Sequence, residues 1–148
     1  MRFKVLLVDD EEEFVHTFAE RLQIRGLDSK VALNGERALQ AVHAEVPGVM
    51  VLDLRMPGID GMEVLRRVKR AYPEVQVVIL SGHGSVDEEE LARHWGAFEY
   101  LHKPVDIDDL IQTLSRAYKR RMADVVVAPT FSEAGRLSSA IFITEEDL

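Results

Sequence analysis

Residues that could take part in phosphate chemistry follow directly after apolar runs in this sequence. They are Asp9 and Asp10, Asp53, Ser81 and Lys103. Carboxylates are ligands that Mg²⁺ uses together with phosphate oxygens and water. An aspartate can also act as a nucleophile and form an aspartyl phosphate, while an ammonium and a hydroxyl stabilise charge on the transferred oxygens. These residue types predict magnesium-assisted transfer of a phosphoryl group to Asp53.

Apolar runs and amphipathic stretches alternate five times along the chain. Predicted strands cover Phe3–Val8, Leu27–Leu33, Gly48–Leu52, Val75–Leu80 and Ala97–Leu101. Helical spacing of apolar residues follows each strand, over Phe14–Ile24, around Ala38–Val42, over Gly61–Tyr72, over Val86–Trp95 with Ser85 as N-cap, and over Ile107–Arg121. Continuous apolar strands separated by helices predict an α/β fold with a parallel sheet covered on both faces.

The order of the strands decides which of these side chains can meet. In open α/β sheets, ligands bind outside the carboxyl ends of the strands, where the strand order reverses. A flavodoxin-like (βα)5 doubly wound sheet has the order 2-1-3-4-5, which we assume from the pattern. That order would bring Asp9 and Asp10 next to Asp53, with Ser81 and Lys103 on the far side. Crowded carboxylates raise one another's pKa values, and Mg²⁺ would relieve that repulsion.

Composition limits the classes of protein that the chain can represent. The 148 residues include no cysteine, which excludes disulfides. Their net charge of −8 disfavours nonspecific binding to nucleic acids. No apolar run approaches the roughly 20 residues needed to span a bilayer. We therefore expect a cytoplasmic protein with no membrane contact and no direct nucleic-acid binding.

The predicted domain ends before the chain does. We expect one domain over residues 1–121 and a C-terminal extension, or the start of a linker, over residues 122–148, which is too short for a full output domain. Three interpretations of the extension stay open: a segment packed on the domain, an element exchanged with a second copy, or a truncated linker.

Four motifs together resemble the receiver domain of bacterial two-component response regulators. They are Leu7-Val8-Asp9-Asp10, the segment Leu52 to Gly61, Leu80-Ser81-Gly82-His83-Gly84, and Tyr100-Leu101-His102-Lys103-Pro104. Each motif alone is weak, but the set has the family's order and spacing and covers roughly residues 2–121.

The resemblance implies roles for the acidic residues. Asp53 would be the phosphoacceptor, Asp10 the closer Mg²⁺ ligand and Asp9 a ligand mostly through water. The backbone carbonyl of Arg55 would be a further ligand. The acids from Glu11 to Glu13 are instead expected to form a solvated helix N-terminus, where negative charge suits the helix dipole.

The resemblance also implies a conformational switch. Ser81 and Tyr100 match the family's switch pair, in which the hydroxyl moves toward the phosphoryl group and the aromatic ring turns inward. Lys103 would contact the phosphoryl group, and the Lys103–Pro104 peptide bond would be cis. Arg55 and His83 flank the pocket and would tune how long the phosphoryl group lasts.

A receiver would have a sensor histidine kinase or a phosphotransfer protein as its phosphoryl donor and an unknown downstream protein as its target. A homodimer through helix four, strand five and helix five is a family-level alternative to a monomer. Such a protein catalyses only its own phosphoryl transfer and dephosphorylation, so it is not a metabolic enzyme.

Three other functions fit the sequence less well than a receiver. A docking scaffold that is never phosphorylated would be expected to lack an acid or the lysine, and this chain keeps both. A phosphatase of the haloacid-dehalogenase type has a second acid two residues after the nucleophile, where this chain has Arg55. A flavin carrier needs a phosphate-binding loop after strand one, where acids from Asp9 onwards would repel the phosphate.

Overall fold

The computed structural model describes residues 2–82 and 84–127, so most of the predicted extension lies outside the described residues. Its strands are β1 (Val5–Val8), β2 (Ser29–Ala32), β3 (Val49–Leu52), β4 (Gln76–Ser81) and β5 (Glu99–His102). Its helices are α1 (Glu12–Ile24), α2 (Gly35–Ala44), α3 (Gly61–Ala71), α4 (Val86–His94) and α5 (Ile107–Val127). Within these described ranges, no helix has both the length and the apolar content that crossing a membrane requires.

All strand pairs are parallel, and the sheet has the order β2-β1-β3-β4-β5. The predicted flavodoxin-like α/β fold and its strand order are therefore confirmed. Val8 at the end of β1 is paired with Leu52 at the end of β3. Because both strands end at the same level, the residues that follow them, Asp9 and Asp53, lie side by side at the carboxyl edge of the sheet.

Apolar side chains alternate between the two faces of the sheet and form a separate core on each. On β3, Met50 and Leu52 belong to the core that contains residues of α2, α3 and α4. Val49 and Val51 belong to the core that contains residues of α1 and α5. Each such buried aliphatic side chain contributes about 1.5–3 kcal/mol relative to an exposed one. The sheet is therefore held from both sides, and this fixes the strand ends.

Several element boundaries differ from the sequence prediction. The predicted second strand is shorter in the structure, at Ser29–Ala32, and β4 includes Ser81 itself. The last helix was predicted to end at Arg121 but continues to Val127. Basic residues near a helix C-terminus are a common stop signal, but no proline or glycine follows until Pro129. The domain boundary at residue 121 stays a prediction.

Helix α4 contains fewer buried residues than the other helices that flank the sheet. Ala92 is its one buried residue, and Leu91 is 44% exposed. Ser85 caps the helix as predicted, since its side chain accepts a 3.1 Å hydrogen bond from the Glu88 amide. At the other end, the Arg66 guanidinium of α3 lies 4.6 Å from the centroid of the Trp95 ring. Few apolar contacts hold α4, which is typical of an element that can shift.

Candidate functional site

Three carboxylates meet where β1 and β3 end. Candidate ligand oxygens of Asp9, Asp10 and Asp53 all lie within 4.8 Å of one another. Asp9 and Asp53 are buried, with 4% and 6% of their surface exposed, whereas Asp10 is exposed. The arrangement follows from the strand order, because β1 and β3 are neighbours. The structure thus brings together the three acids that the sequence predicted would meet.

The environment of Asp53 disfavours its charged form. Burial and the charge of Asp9 raise the pKa of the Asp53 carboxyl from 3.8 to about 6. The charge of Lys103 and the Arg55 amide, whose N–H points to Oδ1 at 3.4 Å, oppose this rise. A divalent cation among these oxygens would offset the repulsion, and oxygen donors with this charge suit Mg²⁺. The residues present therefore fit a bound Mg²⁺.

Lys103 is bound to the same acidic cluster. Its Nζ donates hydrogen bonds of 2.7 Å to Oδ2 of Asp9 and 2.7 Å to Oε1 of Glu11. Burial alone would lower the pKa of the Lys103 ammonium, but these two hydrogen bonds and the charges of Asp9 and Asp53 raise it overall. The lysine is therefore positively charged beside the predicted phosphoacceptor. The peptide bond between Lys103 and Pro104 is cis, as the resemblance implied.

Glu11 has a contact that sequence reasoning missed. The sequence predicts a solvated helix N-terminus here, and the Glu11 side chain is indeed 64% exposed, yet its carboxylate binds Lys103. Its backbone N–H also donates a 2.9 Å hydrogen bond to Oδ1 of Asp9. Only the fold brings residue 103 to this position, so nothing near Glu11 in the sequence signalled the contact.

Ser81 is the last residue of β4, and Tyr100 lies within the neighbouring strand β5. Both are buried, with 0% and 3% of their surface exposed. The Tyr100 hydroxyl donates a 3.2 Å hydrogen bond to Oε1 of Glu88, and its oxygen accepts a hydrogen bond from the Ser81 side chain. Burial and the charge of Glu88 raise the pKa of Tyr100. The ring thus occupies an inward position, and the predicted switch pair is in contact; its switching role stays a prediction.

Arg55 connects the acceptor loop to α4. Its backbone follows Asp53 by two residues, and its Nη2 lies 3.4 Å from Oε2 of Glu88. Sequence reasoning did not single out Glu88, although Ser85 and Glu88 have the spacing of a capping box. The predicted role of the Arg55 carbonyl as a metal ligand stays a prediction. His83 lies outside the described residues.

Gly61 allows the acceptor loop to pack against the start of α3. A Cβ atom at this position would lie 2.3 Å from the carbonyl oxygen of Asp53 and 2.5 Å from Cα of Leu54. The Gly61 amide donates a 3.1 Å hydrogen bond to the Leu54 carbonyl, and the Asp60 side chain caps the helix at the Glu63 amide. The close approach fixes the backbone on which Asp53 is carried.

Comparison with known proteins agrees with this site. The family profile of the response regulator receiver domain matches residues 5–115, which include all three acids, Ser81 and Lys103. The chain belongs to the response regulator receiver family. Phosphorylation and magnesium binding within two-component systems are typical of this family.

Similar proteins are longer regulators of the NtrC and NtrX type. The receiver is 38% identical over 115 residues to an NtrX-like response regulator of Rickettsia typhi and 35% identical over 113 residues to the DNA-binding transcriptional regulator NtrC of Escherichia coli. Each match covers 76% of this chain but 24% of the relative. The chain therefore spans about a quarter of the length of the curated relatives it matches.

Solved structures show the same fold. A response regulator receiver domain from Clostridium thermocellum superposes with a TM-score of 0.77 at 34% identity, covering 81% of this chain and 97% of that one. NtrX from Brucella abortus superposes with a TM-score of 0.81 at 31% identity, covering 86% of this chain and 30% of that one.

Proposed function

We propose that this receiver accepts a phosphoryl group on Asp53 from the phosphohistidine of a partner sensor histidine kinase or phosphotransfer protein. One observation carries the proposal: the buried Asp53 carboxylate lies beside two further acids, in a cluster that also binds a charged lysine. Family membership supports the same assignment. A carboxylate oxygen of Asp53 would attack phosphorus, the bond from phosphorus to the histidine nitrogen would break, and the imidazole would leave.

The surrounding side chains suit the incoming charge. A phosphoryl group on Asp53 brings three oxygens that need cations and hydrogen-bond donors. Lys103 is held in its ammonium form beside Asp9, and the Ser81 hydroxyl is buried at the end of a neighbouring strand. When bound, Mg²⁺ would be held by Asp9, Asp10, Asp53 and the Arg55 carbonyl, and it would supply neutralisation of the phosphoryl oxygens.

The output of the receiver would be a change of surface. Ser81 and Tyr100 connect the site to α4, β5 and α5, where we place the contact with a downstream protein or a second copy of the receiver. The receiver would catalyse only its own phosphorylation and dephosphorylation, in the cytoplasm. We propose a protein target rather than DNA for this chain, because its net charge of −8 opposes contact with phosphate backbones.

Phosphorylation is tested with acetyl phosphate and Mg²⁺, followed by intact mass. We expect a gain of one phosphoryl group in the wild-type chain and in an Asp87→Asn control, which changes an exposed acid on α4. The gain should be lost in Asp53→Asn and in the presence of a magnesium chelator. If the wild type takes neither a phosphoryl group nor BeF₃⁻, a mimic of the aspartyl phosphate, the proposal fails and the docking scaffold replaces it.

A further inference from the structure

Glu88 contacts two parts of the site through its two carboxylate oxygens. Oε2 lies 3.4 Å from Nη2 of Arg55, and Oε1 accepts a 3.2 Å hydrogen bond from the Tyr100 hydroxyl. In a capping box, a glutamate at this position turns back to the N-cap amide. Here the Ser85 half of the box is formed, while the Glu88 carboxylate reaches across to Arg55 and Tyr100. One side chain of α4 thus touches the acceptor loop and the predicted switch residue.

Arg55, which contacts Glu88, also lies next to the acceptor Asp53. Arg55 follows the acceptor by two residues, and its own amide points to the acceptor carboxylate. Its guanidinium side chain is 58% exposed and can move, whereas Glu88 is 21% exposed. A phosphoryl group carries about −1.5 to −2 charges near neutral pH. Because guanidinium groups bind phosphate oxygens through paired hydrogen bonds, a phosphoryl group on Asp53 would compete with Glu88 for Arg55.

The contact of Glu88 with Tyr100 would carry a shift of the Glu88 carboxylate to a buried side chain. The Tyr100 ring is buried, and its hydroxyl is shared between Ser81 and Glu88. If Arg55 moved to the phosphoryl group, the Glu88 carboxylate would lose the cation that it contacts at rest. The carboxylate and the weakly packed helix that carries it would then shift relative to Tyr100.

We propose that Glu88 is a positioning residue that links Arg55 to Tyr100, so that the charge state of Asp53 is transmitted to the tyrosine and α4 through this carboxylate. The link rests on the proposed function, because it presumes that Asp53 gains a phosphoryl group. It adds a second connection beside the contact of Ser81 with Tyr100. Glu88 itself touches neither the acceptor nor its acidic neighbours in this scheme.

The link is tested by NMR of a chain labelled with ¹³Cζ-tyrosine, which reports on three tyrosines. The Tyr100 signal is assigned with Tyr100→Phe, and its response to Mg²⁺ and BeF₃⁻ is compared in the wild type, Glu88→Gln and Glu90→Gln. Glu90 is an exposed acid on the same helix, so its variant controls for lost charge on α4. All three proteins should bind BeF₃⁻. The Tyr100 response should be largely lost in Glu88→Gln alone.

A second measurement needs no phosphoryl mimic. Arg55→Ala should shift the Tyr100 signal when Glu88 is present and leave it unchanged in a Glu88→Gln background, because the effect passes through the carboxylate. Equal shifts in both backgrounds, or a full BeF₃⁻ response in Glu88→Gln, would overturn the link. Absence of BeF₃⁻ binding in the wild type would instead refute the proposed function, while the Arg55 and Glu88 comparison would still decide whether the two residues are coupled at rest.

Discussion

The Lys103 ammonium donates a 2.7 Å hydrogen bond to Asp9, a residue 94 positions earlier in the chain. The lysine thus neutralises part of the acidic cluster before any phosphoryl group arrives, while its charge also lowers the pKa of Asp53. Its position gives the ammonium two possible tasks, which are holding the acids together at rest and binding the phosphoryl oxygens afterwards. The first task can be measured without phosphorylation.

Replacing Lys103 should raise the pKa of Asp53. In Lys103→Gln the opposing positive charge is lost, so the Asp53 carboxyl should titrate above its wild-type value of about 6. The measurement is a ¹³C NMR titration of the aspartate side-chain carboxyls without Mg²⁺. Lys119→Gln removes an exposed lysine of α5 and should leave the Asp53 titration where it is. An unchanged titration in Lys103→Gln would contradict the electrostatic role.

Asp53→Asn should make the magnesium-free protein more stable at neutral pH. The pKa of Asp53 is raised in the folded state, so its stabilising contribution is complete below the ordinary value of 3.8 and is lost as pH rises through about 6. Because an asparagine side chain does not titrate in this pH range, the stability of the Asp53→Asn variant does not fall in this way. We expect its free energy of unfolding to exceed that of the wild type by about 1–3 kcal/mol at pH 7.5 and to converge with it near pH 4.

Urea unfolding at a series of pH values, with a chelator present, measures this difference. Asp87→Asn serves as the control, since it removes an exposed acid. A gap between wild type and Asp53→Asn that stays constant from pH 4 to pH 7.5 would show that the acceptor carboxyl does not titrate as the structure indicates.

Gly84→Ala should displace the Tyr100 ring. A Cβ atom at residue 84 would lie 1.9 Å from the Tyr100 hydroxyl oxygen, so the ring or the loop must move. Overpacking of this kind costs about 1–3 kcal/mol of stability. We expect a lower free energy of unfolding together with a changed ¹³Cζ shift of Tyr100. Gly82→Ala is the matched control, because its nearest neighbour would be Cδ of Lys103 at 3.9 Å. Equal effects of the two variants would argue against the close contact.

Asp10→Asn should weaken magnesium binding while leaving the fold intact. Asp10 is exposed, so its replacement disturbs no core contact, but it removes one of three negative charges from the cluster. We expect the dissociation constant for Mg²⁺ to rise by about tenfold or more. Amide shifts at the ends of β1 and β3 follow the titration. Glu12→Gln, in the first turn of α1, should bind Mg²⁺ as the wild type does.

The position of the acids could be predicted because it depends on the main chain. Asp9 and Asp53 follow short apolar runs that are typical of buried strands, and in a parallel sheet the ends of such strands lie at one edge. The neighbours of these acids followed from the flavodoxin-like strand order, which had to be assumed from the alternating pattern and which the structure confirms. Ser85 was likewise predictable, because an N-cap depends on the few residues around it.

Contacts made by long side chains could not be predicted in the same way. Glu11 reaches Lys103, and Glu88 reaches both Arg55 and Tyr100, over distances that only the folded chain defines. The sequence around each glutamate looked like an ordinary acidic first turn of a helix. Propensity also failed at the end of α5, where charged residues resembled a stop but the helix continued to Val127.

Trp95 is the one tryptophan of the chain. It follows the last residue of α4, is 37% exposed, and has the Arg66 guanidinium over its ring. The fluorescence emission of Trp95 therefore reports on the contact between α3 and the C-terminal end of α4, without any added dye. A shift of α4 would separate the ring from Arg66 or change its exposure to water, and either would alter intensity and wavelength. Trp95 is therefore an intrinsic fluorescence probe, and stopped-flow fluorescence would follow the response of α4 in real time.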